Sequence, residues 1–197
     1  MVRNADRSLR SLVDVDNGMI SREVYTSDEI YRQEQEQIFM RAWLFVGHES
    51  MVPNPGDFAA SRMGAEEVLL VRDRKGKIHV FLNTCRHRGM KVCRYDSGNA
   101  LVFTCPFHAW SYDTDGRLIG VGHQREAYGE DFDKSEWPLH EVAQMCNFYG
   151  SIWATWDRPR RASVGRCPEC RVTSLSRHPE AHLSGCRLMG TPSPEEP

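Results

Sequence analysis

A chain of 197 residues, 40% of them hydrophobic, suffices for one domain with a real core, alone or with extensions. A net charge of −2 gives no electrostatic reason to expect nucleic acid or an anionic membrane as partner, and no apolar run approaches the ~20 residues of a membrane span. Met1–Arg10 is polar and lacks the apolar stretch of a signal peptide, so the expected location is the cytoplasm, where seven cysteines point to metal binding or reduced thiols rather than disulfides.

Residues 1–24 show no sustained period and are expected to run extended over the surface. Thr26 and Glu29 form a capping-box pattern that predicts a helix of about 15 residues. Its apolar stripe, Ile30, Tyr31, Ile38, Phe39 and Ala42, is expected to face a core, with Glu34, Glu36 and Arg41 toward water. Short strands and turns follow. Trp43–Val46 is β-prone, and Pro53-Asn54-Pro55-Gly56 is a turn. Glu67–Arg72 and Lys77–Asn83 flank Asp73-Arg74-Lys75-Gly76 as a hairpin, and Trp110–Tyr112 and Arg117–Ile119 flank Thr114-Asp115-Gly116 as another. Leu101–Thr104 is a short strand between them. Phe148–Trp156 alternates as a last strand, with Ile152 and Ala154 on one face. Many short strands at close spacing predict a mainly β fold, an antiparallel sandwich or small barrel, with one N-terminal helix.

The composition changes abruptly at about Asp157. All 19 aromatic residues lie at or before Trp156, whereas Arg158–Pro197 holds seven Arg, no Lys, six of the ten prolines and three of the seven cysteines. The chain therefore divides into an N-terminal extension (1–24), a folded unit (25–157) and a tail (158–197) expected to be disordered.

Two short clusters carry chemistry. Cys85-Arg86-His87 and Cys105-Pro106-Phe107-His108 each offer one thiol and one imidazole, and 17 residues separate His87 from Cys105. In extended backbone, positions i and i+2 share a face, so Cys85 and His87 point the same way. The spacer is long enough for two strands and a turn, so a hairpin-like excursion is expected to bring the loops tip to tip. Two Cys and two His form the donor set of a Rieske-type [2Fe–2S] centre. They are equally the donors of a structural zinc site, the alternative at this point, although a zinc finger usually pairs like with like and here each pair is mixed. In the iron–sulfur case, Cys85 and Cys105 hold the inner iron and His87 and His108 the outer one. Gly89, Gly120 and Gly122 are positions where backbone can approach the sulfurs closely. His48, His79, His123 and His140 are read as surface or packing residues, and Cys93 and Cys146 as partly buried thiols. Cys167, Cys170, His178 and His182 superficially suggest a second zinc pattern, but its seven-residue gap is short and no apolar core surrounds it.

The segment Cys85–Leu118 resembles the Rieske segment of bacterial aromatic-ring-hydroxylating dioxygenases, large (alpha) subunit. Ile20–Tyr25 and Ile38–Phe58 resemble that family's N-terminal region, and Phe148–Asp157 the end of its Rieske domain. The resemblance covers roughly Leu12–Asp157. It implies a Rieske-like fold, one [2Fe–2S] cluster on Cys85, His87, Cys105 and His108, and a cytoplasmic electron relay in aromatic hydrocarbon catabolism. It implies a reductase, a ferredoxin or both as electron donors drawing on NAD(P)H, alpha/beta oxygenase subunits as partners, and no nucleic acid or membrane. In the intact family the electron passes to a mononuclear Fe(II) on two His and one carboxylate, where dioxygen is activated. The likeness stops after Asp157, so that iron is not expected here and no residue is assigned a catalytic role. The tail looks like a frame change or a fusion. A free-standing Rieske ferredoxin is the alternative, but residues 20–60 favour the dioxygenase.

Overall fold

The structure is a computed structural model and describes residues 9–158. The tail beyond them, with Cys167, Cys170, His178 and His182, lies outside the described residues. The key to the architecture is the run Val68-Leu69-Leu70-Val71, in which every residue is 0% exposed. A strand with water on one side alternates, and a strand covered on both faces does not. This run is the middle of strand β5 (Glu66–Arg72). It pairs with β4 (Asp57–Met63) and β6 (Ile78–Leu82), and β4 pairs in turn with β7 (Ser97–Asn99), all antiparallel, in the order β6-β5-β4-β7.

Each face of that sheet is covered. On one side Val68 and Leu70 pack with Ala59, Met63 and Val80 against Val46, Ile152 and Ala154. Those last three come from a second sheet, β11-β12-β3, built from β3 (Leu44–His48), β11 (Gln144–Phe148) and β12 (Ser151–Thr155). On the other side Leu69 and Val71 pack with Phe58 and Phe81 against Phe103, Tyr112 and Leu118. These belong to a third sheet, β10-β9-β8, made of β8 (Val102–Thr104), β9 (Ser111–Asp113) and β10 (Leu118–Gly120). The fold is thus mainly antiparallel β, as expected. No described helix is long and apolar enough to cross a membrane.

Both predicted hairpins form. In the first, the Asp73 carboxylate accepts the Lys75 and Lys77 amides, each at 2.8 Å, and so closes the β5–β6 turn. In the second, Gly116 has φ +83°, and a Cβ there would lie 2.6 Å from Cε1 of the buried Phe81 ring. We predict that Gly116→Ala destabilises the fold by about 2–4 kcal/mol, combining left-handed strain with overpacking. A chemical denaturation curve measures it.

Asp73 is also one end of a hydrogen-bonded chain that runs through the buried His79 ring to Glu141, whose side chain is about half exposed. His79 Nε2 lies 3.3 Å from Asp73 Oδ2, and His79 Nδ1 lies 2.7 Å from Glu141 Oε1. Burial alone would raise the Asp73 carboxyl, but the Lys77 amide, the His79 ring and the Lys75 amide together hold it below its ordinary value. The bond to His79 likewise lowers Glu141. A depressed carboxyl stabilises the fold above its unfolded pKa and loses that contribution as pH falls through the folded one. The thermal midpoint is therefore expected to drop as pH falls below about 4, and Asp73→Asn to flatten that slope; differential scanning calorimetry against pH checks both.

Several expectations need correction. The N-terminal helix is two short ones, α1 (Glu23–Thr26) and α2 (Asp28–Glu34), followed by a π turn at Gln35–Phe39. Its cap is Ser27, whose hydroxyl accepts the Ile30 amide at 3.4 Å, while the Thr26 hydroxyl donates back to the Arg22 carbonyl. The stripe packs only in part: Ile30, Phe39 and Ala42 are half-buried, whereas Tyr31 is 52% and Ile38 53% exposed. The wider π turn rotates Ile38 off the face of Ile30, and the segment is anchored by Gln35 Oε1, which accepts the Ala65 amide at 3.0 Å. The extension expected to run extended over the surface does so in part as a small exposed hairpin, β1 (Val13–Asp14) with β2 (Met19–Ile20). The last strand begins at Ser151; Phe148 ends β11, and Tyr149 and Gly150 make the turn. Finally, the spacer between His87 and Cys105 is not a hairpin. Its strands β7 and β8 pair with β4 and β9, in different sheets.

Candidate metal centre

Both ligand-bearing loops are built by the same backbone device. The Cys85 amide donates to the Met90 carbonyl at 2.8 Å, and the Gly89 amide to the Cys85 carbonyl at 3.0 Å. In the second loop the Cys105 amide donates to the Trp110 carbonyl at 2.8 Å, and the Ala109 amide to the Cys105 carbonyl at 3.0 Å. The fourth residue after each cysteine is left-handed, Gly89 at φ 72° and Ala109 at φ 57°. Of the three glycines singled out, Gly89 supplies that turn, Gly122 lies against the His108 carbonyl and Gly120 sits beside Ser111.

The structure brings all four predicted residues into one place. The rings of His87 and His108 are 4.6 Å apart, edge to face. Cys85 and Cys105 are buried at 3% and 2% exposure, and the two histidines are half-buried, so sulfur lies inside and nitrogen outside. Burial raises the Cys85 thiol and the neighbouring Cys105 adds to that, against the pull of the Tyr112 hydroxyl and the His87 amide. Burial, His108 and Arg88 lower His87, which keeps its imidazole neutral, the form that binds metal. His108 Nδ1 is buried with no hydrogen-bond partner. A buried nitrogen without a partner is costly in an apolar setting and ready for a metal. Among the described residues no three His, Cys, Asp or Glu side chains converge as closely as a single ion requires. Cys85, His87, Cys105 and His108 are gathered here as two thiols and two imidazoles. They fit a bridged two-iron core in type, burial and free valence.

Three aromatic residues complete the site, and sequence reasoning missed their roles. The Tyr112 hydroxyl accepts the Arg86 amide at 3.1 Å and lies 3.4 Å from Cys85 Sγ, where it can donate its own proton once the sulfur is a thiolate. Burial first, and then Cys85, raises the phenol and keeps it protonated. Trp110 is 1% exposed and stacks on His87 at 5.1 Å. Tyr128 Oη is 3.1 Å from His87 Nε2. The signal available beforehand was the alternation Trp110-x-Tyr112 just after the second cluster, two inward positions in the extended backbone that leads into β9. The histidines read as bland do not join the site directly. His79 is the buried middle of the chain from Asp73 to Glu141, and His140 Nε2 meets the Arg86 guanidinium, which also lies 5.6 Å over the Trp137 ring.

The Rieske [2Fe-2S] domain family matches residues 42–143. The chain is 44% identical over 157 residues to biphenyl dioxygenase subunit alpha of Paraburkholderia xenovorans (strain LB400), covering 76% of this chain and 34% of that protein. It is 45% identical over 154 residues to biphenyl 2,3-dioxygenase subunit alpha of Rhodococcus jostii (strain RHA1), covering 78% and 33%. Among solved structures, naphthalene 1,2-dioxygenase from Rhodococcus sp. bound to indole superposes with a TM-score of 0.66 at 37% identity, covering 70% of this chain and 31% of that one. The chain thus spans about a third of the length of the relatives it matches. With both loop tips and their aromatic surround inside the matched interval, the chain belongs to the Rieske [2Fe-2S] domain family.

Proposed function

We propose that Cys85, His87, Cys105 and His108 hold a Rieske [2Fe–2S] cluster, and that the chain is the electron-relay domain of an aromatic-ring-hydroxylating dioxygenase alpha subunit. The observation that carries this is the meeting of two mixed Cys/His loop tips, thiols buried and imidazoles outward, with an unpartnered nitrogen on His108. When bound, such a cluster accepts and returns one electron at roughly −150 to +300 mV. The protein's part is to hold it. Paired backbone turns fix the two sulfurs, Tyr112 can donate its proton to the Cys85 thiolate, and Trp110 keeps His87 flat and dry. The half-buried histidine edges give a short path to a partner surface.

The electron donor is a reductase, a ferredoxin or both, and the acceptor is the oxygenase part of an alpha/beta assembly. A cytoplasmic location is the reading that a cysteine-rich chain with thiol donors supports. The test is to purify the chain anaerobically and record colour, iron content and electron paramagnetic resonance. A red-brown protein with two irons per chain (the [2Fe–2S] stoichiometry), taking up one electron and giving a Rieske-type signal, is the expected result. A colourless protein with stoichiometric zinc overturns it.

A further inference from the structure

The two outer histidines are not equivalent. His108 keeps a buried Nδ1 without a partner. His87 has its far nitrogen, Nε2, taken by the Tyr128 hydroxyl at 3.1 Å. A neutral imidazole carries one proton, so a partner on Nε2 fixes which nitrogen is left for metal. Tyr128 is placed for this by its own helix and by packing. It ends α3 (Gln124–Tyr128), which starts after left-handed His123 and stops at left-handed Gly129. Its ring meets Phe132 at 5.0 Å, Trp110 at 5.8 Å and His87 at 6.0 Å. Trp110 stacks on the same histidine from another side. None of these ring contacts belongs to the backbone turns that shape the two Cys/His loops. They act on one ligand only.

Building on the Rieske assignment, we infer that Tyr128 is a positioning residue of the centre. Its phenol oxygen accepts the Nε2 proton of His87, fixes the tautomer that presents Nδ1 to the iron, and holds the reduction potential down. The sign follows from charge. An oxidised cluster draws electron density from its imidazole ligand and makes the Nε2–H a better donor, so an acceptor on that proton stabilises the oxidised state. Reduction adds one electron and leaves the Nε2 proton in place; no bond is made or broken. Tyr112 works in the opposite direction. It donates to a ligand sulfur, which gains negative charge on reduction, and so stabilises the reduced state.

The experiment is a mediated redox titration of the cluster-loaded 197-residue chain in three forms: unaltered, Tyr128→Phe and Tyr112→Phe. Tyr128→Phe keeps the ring and all four ligands, so it loads iron normally. Its ratio of reduced to oxidised protein at fixed poise is expected to rise two- to fivefold, which is about 20 to 40 mV upward at 59 mV per tenfold change. The coupling of the exchangeable His87 proton, read by electron–nuclear double resonance, changes with it. Tyr112→Phe is expected to shift the potential downward. Phe132→Leu removes ring packing from α3 without touching His87, and is expected to leave the potential unchanged. Tyr128→Phe with an unchanged or lower potential, or with the cluster lost while circular dichroism stays native, overturns the inference. So does an upward shift that Phe132→Leu reproduces, because packing then explains it. A red wild-type chain with an unmoved Tyr128→Phe sinks this inference alone, whereas a colourless wild-type chain sinks the Rieske assignment and this with it.

Discussion

Cys105→Ser is expected to give a colourless chain without iron whose backbone fold is intact. The serine hydroxyl stays protonated where a thiol ionises on metal, so one of the two inner ligands vanishes while the shape at the position hardly changes. The site makes this a clean test of ligation. Cys105 is 2% exposed, so no solvent ligand can easily replace its sulfur. The second loop is held by main-chain bonds, from the Cys105 amide to the Trp110 carbonyl and from the Ala109 amide to the Cys105 carbonyl, and these survive the substitution. Iron content, visible absorbance and circular dichroism measured together separate loss of the cluster from loss of the fold. If Cys105→Ser kept the wild-type spectrum, the sulfur assignment would be wrong.

The four candidate donors could be picked out because the pattern is one of local chemistry. Donor type and spacing within Cys85–His87 and Cys105–His108 are written in a few consecutive residues, and the backbone device that presents them spans only six residues in each loop. The two hairpins were legible for the same reason, since Asp73 and Gly116 close their turns through contacts two to four residues away. What could not be read needed a distant partner. The spacer strands were taken to pair with each other because they are neighbours in sequence. Their actual partners lie in different sheets: β7 extends the central sheet beside β4, while β8 joins β9 in the sheet that packs over one face of β5. Tyr128 lies 41 residues beyond His87, and nothing within α3 announces that its hydroxyl reaches a ligand. The helix cap was misplaced by one residue because Thr26 and Ser27 are equally good caps in isolation; the end of α1 spends Thr26 on the Arg22 carbonyl.

The same division between local and distant support sets the second large effect, at Trp110. This side chain is 1% exposed, stacked 5.1 Å over His87 and met edge-on by Tyr128 and Trp137 at 5.8 and 5.6 Å. Trp110→Ala opens a cavity against a ligand. The expected cost is about 3–5 kcal/mol, a large part of the roughly 5–15 kcal/mol available to a domain. A thermal melt should fall sharply, and the red colour should bleach in air far faster than in wild type, because water gains access to the His87 side of the centre. Trp110→Phe should recover most of both properties. It loses ring volume, but it also removes the indole Nε1, which is buried with no hydrogen-bond partner, and losing an unpaired donor offsets part of the packing loss. A Trp110→Ala chain as stable and as long-lived in colour as wild type would mean that the loop turns alone hold the centre. The aromatic wall would then be packing that the ligands do not use.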